Sequence, residues 1–255
     1  MEVYVTQFVL FLMLLARISS LIIIAPVFGH QSIPAVVKIA LALFLSFVLY
    51  PLAVQKAPSM DLQLLSLVFV ALKEVVVGLL LGFATGLIFE GVRVAGELMG
   101  FDLGFSMATV FDPETSQNNP ILSEFLVMVM TLVFLLINGH HFVLQGLQVS
   151  YEVVPVGGFS MSAVLSQKLI ALTGGIFIVG IQLAAPVMVT SFLVNIAMGI
   201  LARVAPQINV FIVSLPVKIF VGFVVLMTVG PVMIYVFKKM LTGFESNVLE
   251  LIRVM

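Results

Sequence analysis

The chain has 255 residues, of which 62% are hydrophobic and 9% charged, and its mean hydropathy is +1.29. Soluble domains carry about 25% charged residues, so this composition excludes a water-soluble globule and requires apolar surface to be hidden in lipid or in partner subunits. A formal net charge of −1 gives no electrostatic case for nucleic acid, and the absence of cysteine removes disulfides, thiolate chemistry and cysteine metal sites together.

A bilayer core of about 30 Å takes about 20 apolar residues as a helix. On that measure membrane helices are predicted over residues 3–28, 36–54, 62–89, 125–149, 169–202 and 219–237. The first opens on acidic Glu2 and carries Arg17 inside its apolar run. A cleaved signal has a basic leader instead, so this segment is expected to remain as a helix. Lys73 and Glu74 lie inside the third segment. A central charge facing lipid costs at least about 2.5–3.5 kcal/mol, so Arg17, Lys73 and Glu74 are expected to be buried against protein or water.

Gly78, Gly82 and Gly86 recur every four residues, and so do Gly96, Gly100 and Gly104. Small residues at that spacing form a groove for close helix approach, which is the main packing device where lipid removes the hydrophobic drive. The helix filling the groove can belong to this chain or to another. Between the two glycine sets, Glu90, Arg93 and Glu97 share one helix face and read as a self-neutralised polar stripe.

Residues 100–120 form a polar island in this apolar chain. It is opened by Gly100 and Gly104, closed by Pro113 and Pro120, and holds Asp102, Asp112, Glu114, Asn118 and Asn119. Such a segment is either an exposed loop or the part that touches a cargo. Its first half is apolar (Phe105, Met107, Val110, Phe111) and suits filling a constriction, whereas its second half suits hydration.

Asn138-Gly139 reads as a helix break. His140 and His141, being adjacent, point in different directions on a helix, and Glu124 and Glu152 are not at ligand spacing, so no metal is assigned there. No charge occurs between Lys168 and Arg203, a run far longer than a bilayer is thick, and Pro186 near its middle is expected to kink or divide it. By the positive-inside rule Lys238-Lys239 suggest a cytoplasmic C-terminal end, which would put Arg203 and Lys218, one span earlier, outside; the rule gives no consistent answer, and that failure points to helices packed in an assembly. There is no phosphate loop, nucleophile elbow or paired-carboxylate arrangement, so an enzyme is not expected. The 14 methionines suit irregular packing or a deformable seal, and are also ordinary filler in membrane helices.

The string from Arg203 to Lys218 carries Pro206, Pro216 and the Gln207-x-Asn209 pair between two cations. Before it stand Gln182, Ala185-Pro186-Val187, Asn195 and Gly199. Earlier come Pro26-Val27-Phe28 with Pro34 and Lys38, then Glu74 with Gly78, then Gly104-Phe105 followed by Asp112-Pro113. Asn138-Gly139-His140-His141, Ser150 and Pro155 complete the pattern. Together these resemble the FliR family of flagellar export-gate proteins and its counterparts in virulence type III secretion, over nearly the whole chain.

The resemblance implies an all-α membrane-associated fold of kinked helical hairpins. A FliP-like part over residues 1–160 would be fused to a FliQ-like hairpin over residues 161–255. It implies FliP-like and FliQ-like subunits in a closed helical ring of the bacterial inner membrane, at the flagellar basal body and held toward the periplasmic side. FlhB-like and FlhA-like proteins would lie nearby, and unfolded flagellar subunits would pass through. No cofactor is implied. The island would be the loop that plugs the pore, through Gly104, Phe105, Ser106, Met107, Val110, Phe111, Asp112 and Pro113. Gly78, Gly82, Gly86, Gly96 and Gly100 would serve helix packing. Arg203, Pro206, Gln207, Asn209, Pro216 and Lys218 would lie at the cytoplasmic base, near the FlhB-like partner. A rival reading from the intramembrane charges alone is a six-helix secondary transporter, although no inverted repeat is evident.

Overall fold

The computed structural model describes residues 2–56, 63–105 and 121–255. Among these the fold is all-α, with seven helices: α1 (Glu2–Ile24), α2 (Ala35–Gln55), α3 (Leu64–Asp102), α4 (Ile121–Leu136), α5 (Gly139–Val153), α6 (Ala163–Val204) and α7 (Val210–Val254). Five are long and apolar enough to cross a membrane, or six if α4 and α5 are taken as one broken span. The broken pair falls where Asn138-Gly139 was expected to interrupt the helix. Asn138 adopts φ 59°, a left-handed conformation that asparagine tolerates better than most residues and that ends one helix and opens the next.

Three long helices differ from the sequence-based expectation. The third predicted span does not stop at 89 but continues through the Glu90–Glu97 stripe to Asp102, making α3 39 residues long. The stripe does not break the helix because its charges sit on the surface, where Arg93 reaches Glu90 at 3.3 Å and Glu124 at 3.0 Å. Of the two outcomes expected at Pro186, a kink or a division, the second does not occur, because α6 runs through it for 42 residues. In α7 the helix already begins at Val210, so Pro216 and Lys218 are helical and the connection from α6 is only residues 205–209. Asn209 caps this start, its Oδ1 accepting from the Ile212 amide at 3.4 Å.

Two compact units arise from these helices, each discontinuous in sequence. The first comprises Met1–Ile88, Leu135–Thr173 and Leu241–Met255; the second comprises Phe89–Phe134 and Gly174–Met240. In the first unit α1 packs on α2, and α2 on α5. Leu14, Ile18 and Leu21 of α1, Leu81 of α3 and Leu147 of α5 are buried there. Lys168 and Glu250 form an ion pair between the start of α6 and the end of α7, beside a hydrogen bond from Ser162 Oγ to the Val254 carbonyl at 3.1 Å. In the second unit Phe89 meets Phe134 edge-on at 5.5 Å between ring centroids, and Met99, Leu103 and Met130 are buried.

Candidate functional site

Arg17 is the most constrained polar side chain of the first unit. It is 0% exposed, as is Glu74, and the two carboxylate oxygens receive its Nε at 2.6 Å and its Nη2 at 3.0 Å. The remaining guanidinium hydrogens go to Ser150 Oγ at 3.2 Å and, from both Nη atoms, to the Val154 carbonyl at 3.1 Å. The Gly157 amide donates to Glu74 Oε1 at 2.8 Å, and the Tyr151 ring lies under the guanidinium at 4.2 Å. Tyr151 also ties back to α1 through its hydroxyl, which donates to the Leu14 carbonyl at 3.2 Å.

The fork of an arginine matches a carboxylate bidentately, so this geometry satisfies the charge and directional needs of both groups at once. It joins α1, α3, α5 and the 154–157 turn in one polar node. From sequence, Arg17 and Glu74 were expected to be buried, whereas Ser150 had no assigned role and Tyr151 and Gly157 were missed. A hydroxyl and a phenol side by side on α5, and the glycine pair in the turn that follows it, were the available signal.

Lys73, placed with these two by the sequence reading, is a correction: it is exposed, and its Nζ donates to the Gly157 carbonyl at 3.1 Å. Neighbouring residues on a helix point about 100° apart, so burying Glu74 turns Lys73 outward.

The glycines divide into two sets. At Gly78 a Cβ would lie 2.0 Å from Ser20 Oγ and 2.2 Å from the Arg17 carbonyl oxygen, and at Gly82 it would lie 2.9 Å from Ile24 Cβ. At Gly96 a Cβ would lie 2.3 Å from Ser123 Cα. Gly86, by contrast, has nothing within 4 Å, and Gly100 meets only Leu122 at 3.9 Å. Among the described residues these two are not close-approach positions, because no other described element passes near enough.

The second unit holds the entry to the island. Gly104 has φ +86°, a conformation that a side chain resists, and it turns the chain out of α3. This exit is fastened on several sides: the Asp102 carbonyl accepts from Ser191 Oγ of α6 at 3.2 Å, and Phe105 meets Phe223 of α7 edge-on at 6.4 Å. Gly222 gives Leu103 its place, since a Cβ there would lie 2.4 Å from Leu103 Cδ2. Ser106, Met107, Val110, Phe111, Asp112 and Pro113 lie outside the described residues. The chain is next described at Ile121, and Ser123 Oγ donates to the Arg93 carbonyl at 2.8 Å. Of the group expected at the base, Arg203, Pro206, Gln207, Asn209 and Pro216 are exposed and Lys218 is half-buried.

Comparison with known proteins adds an independent line. The family model for bacterial export proteins, family 1, matches residues 8–244. The chain is similar to the flagellar biosynthetic protein FliR of Bacillus subtilis, with 35% identity over 233 residues covering 89% of this chain and 88% of the relative. It is similar to that of Escherichia coli K12, at 32% over 222 residues covering 85% and 82%. The Pectobacterium carotovorum protein of the same name matches at 34% over 218 residues, covering 84% and 80%.

Proposed function

Since the chain belongs to the FliR family of bacterial export proteins, and is a membrane component of the flagellar export apparatus, we propose that it forms the export gate of the type III secretion system together with FliP-like and FliQ-like subunits. In this reading residues 1–160 are the FliP-like part and residues 161–255 the FliQ-like hairpin. The assembly is a closed ring in the bacterial inner membrane, with much of the chain held toward the periplasm. An FlhB-like protein meets it at the cytoplasmic base, where Arg203, Gln207 and Asn209 are exposed polar groups, with Pro206 and Pro216 also exposed and Lys218 half-buried; an FlhA-like protein is a further partner. Unfolded flagellar subunits pass through the opened ring.

The observation that carries the reading is the mismatch between helix length and bilayer. With 42 and 45 residues, α6 and α7 would measure about 63 and 68 Å at ~1.5 Å per residue, twice a bilayer core of about 30 Å. Their outer surfaces are nevertheless apolar over longer stretches than that core, from Phe177 through Phe192 to Val204 on α6 and from Phe211 through Met227 to Tyr235 on α7, all exposed in the single chain, or about 40 and 36 Å at ~1.5 Å per residue. Apolar surface that lipid cannot cover is covered by protein, which is what a ring of similar subunits supplies.

The transporter alternative finds less support. Two of the three charges that motivated it engage each other fully, and the third is at the surface.

The plug assignment rests on the family resemblance, and it is supported by the fastened exit at Gly104 and Phe105, which gives the segment that follows a fixed point of departure. Deleting residues 106–119 is expected to leave an assembled gate that leaks ions or small solutes. An assembled gate as tight as the wild type would refute the plug. The assembly itself is tested by co-expression: the chain is expected to co-purify in one complex with FliP-like and FliQ-like subunits, and a stable monomer that ignores both would overturn it.

A further inference from the structure

The α1–α2 hairpin carries a groove whose lining is apolar except at one end, and we propose that it binds one anionic phospholipid. The phosphate would sit at Lys38 and an acyl chain would lie along the groove. This is independent of the export reading and rests only on the chain being a membrane protein.

The floor is made by Ile22 of α1 and Ala42 of α2, 2% and 3% exposed, while the rims at Ile23, Ile39 and Leu43 are open. From Leu15 to Ile23 the α1 wall rises by eight residue steps, or about 12 Å at ~1.5 Å per residue, a fitting length for part of an acyl chain. The lining includes Ser19, but its hydroxyl donates to the Ala16 carbonyl of its own helix at 3.2 Å. Of the described lining residues only Lys38 therefore offers side-chain donors to an occupant.

Lys38 lies in the first turn of α2, beside the connection from α1, where an apolar span meets the headgroup region. Its ammonium has three donors. One goes to the Gly29 carbonyl at 2.8 Å, which leaves two for an anion and holds the nitrogen in place. No acidic residue occurs between Glu2, at the far end of α1, and Asp61, so neither the lining of the groove nor the α1–α2 connection supplies Lys38 with a carboxylate. The occupant must therefore bring the negative charge, at the end of an otherwise apolar body. That is the chemistry of an anionic phospholipid, and a lysine stem along apolar wall with its head at the interface is how such lipids are held. The open side is available to lipid, because only 11% of the α2 span window is buried.

The test is native mass spectrometry of the full chain, released from detergent containing equal amounts of phosphatidylglycerol and phosphatidylcholine with the same acyl chains. Wild type is expected to retain one phosphatidylglycerol in preference. One lysine near an anionic headgroup contributes about 1 kcal/mol, so Lys38→Ala should lower phosphatidylglycerol retention about fivefold, to the level of phosphatidylcholine. Ala42→Phe, which fills the floor, should lower retention of both lipids. Lys56→Ala removes the same charge at the other end of α2 and should change nothing. If Lys38→Ala fails to fold for want of its bond to Gly29, Lys38→Gln keeps a donor to that carbonyl, removes the charge and is read in its place. Equal retention of the two lipids by wild type, or equal losses from the Lys38 and Lys56 variants, would overturn the proposal. So would displacement of the lipid by inorganic phosphate alone, or cross-linking of the Ile39→Cys variant to a polypeptide instead of lipid.

Discussion

Arg17→Met is expected to destabilise the full chain by about 3–5 kcal/mol, because it leaves the Glu74 carboxylate buried without its counter-charge. The cost comes from the survivor. Glu74 keeps one hydrogen bond, from the Gly157 amide, and loses both from the guanidinium. Ser150 Oγ and the Val154 carbonyl lose donors in the same event. Arg17→Lys retains the charge but not the fork, so it should recover only part of the loss, being unable to reach both carboxylate oxygens and the Val154 carbonyl together.

The informative variant is the double one. Arg17→Met with Glu74→Met removes both charges and fills similar volume, and it should be markedly more stable than either single change. Thermal unfolding of the four proteins in nanodiscs measures this. Additive losses would show that the pair is not the coupled unit described. An unaltered melting temperature in Arg17→Met would show that Glu74 is solvated.

Gly78→Ala should be nearly as damaging, although it adds a single methyl group. Its Cβ would collide with Ser20 Oγ, which can rotate away, and with the Arg17 carbonyl oxygen, which cannot. Relief requires α1 to move from α3, and such a movement pulls Arg17 off Glu74. Overpacking alone costs about 1–3 kcal/mol, and loss of the ion-pair geometry adds to it. Removing the serine in Gly78→Ala with Ser20→Ala should therefore not rescue stability.

Gly86→Ala is the internal control two helical turns away. It has open space around it and should be neutral or slightly stabilising in the isolated chain, since alanine is favoured over glycine in a helix by about 1 kcal/mol. If Gly86→Ala leaves the isolated chain intact and prevents co-purification with FliP-like and FliQ-like subunits, the glycine is filled by another chain. If Gly78→Ala melts like wild type, the α1–α3 approach is looser than described.

How far the sequence could be read depended on whether the governing contact was local. The left-handed break at Asn138 was legible because asparagine followed by glycine carries its own turn preference. The burial of Arg17 and Glu74 was legible from the cost of charge in lipid. Their pairing was not, because they stand 57 positions apart and nothing local links them. Lys73 and Glu74 posed a choice that only the packing of α3 settles, since adjacent residues cannot both face one neighbour.

Helix ends were harder. α3 and α6 are apolar on nearly every face, so there is no amphipathic periodicity to mark where a buried side begins, and hydropathy merges successive segments. This is why the polar stripe at 90–97 was read apart from α3, and why 203–218 was read as a loop when only 205–209 leaves the helix. The plug residues from Ser106 to Pro113 lie outside the described residues, so that assignment remains with the family resemblance and with the fastened exit at Phe105.

The prolines within α6 and α7 have a mechanical consequence. Pro186, Pro216 and Pro231 carry no amide hydrogen, so the carbonyls of Gln182, Ile212 and Met227, four residues earlier, lack their backbone donor. Bending stiffness in a helix comes from that ladder of bonds, and it is lowest where a rung is missing. Each long helix is thus a jointed rod: strain applied at one end is taken up as a bend at known positions before it reaches the other.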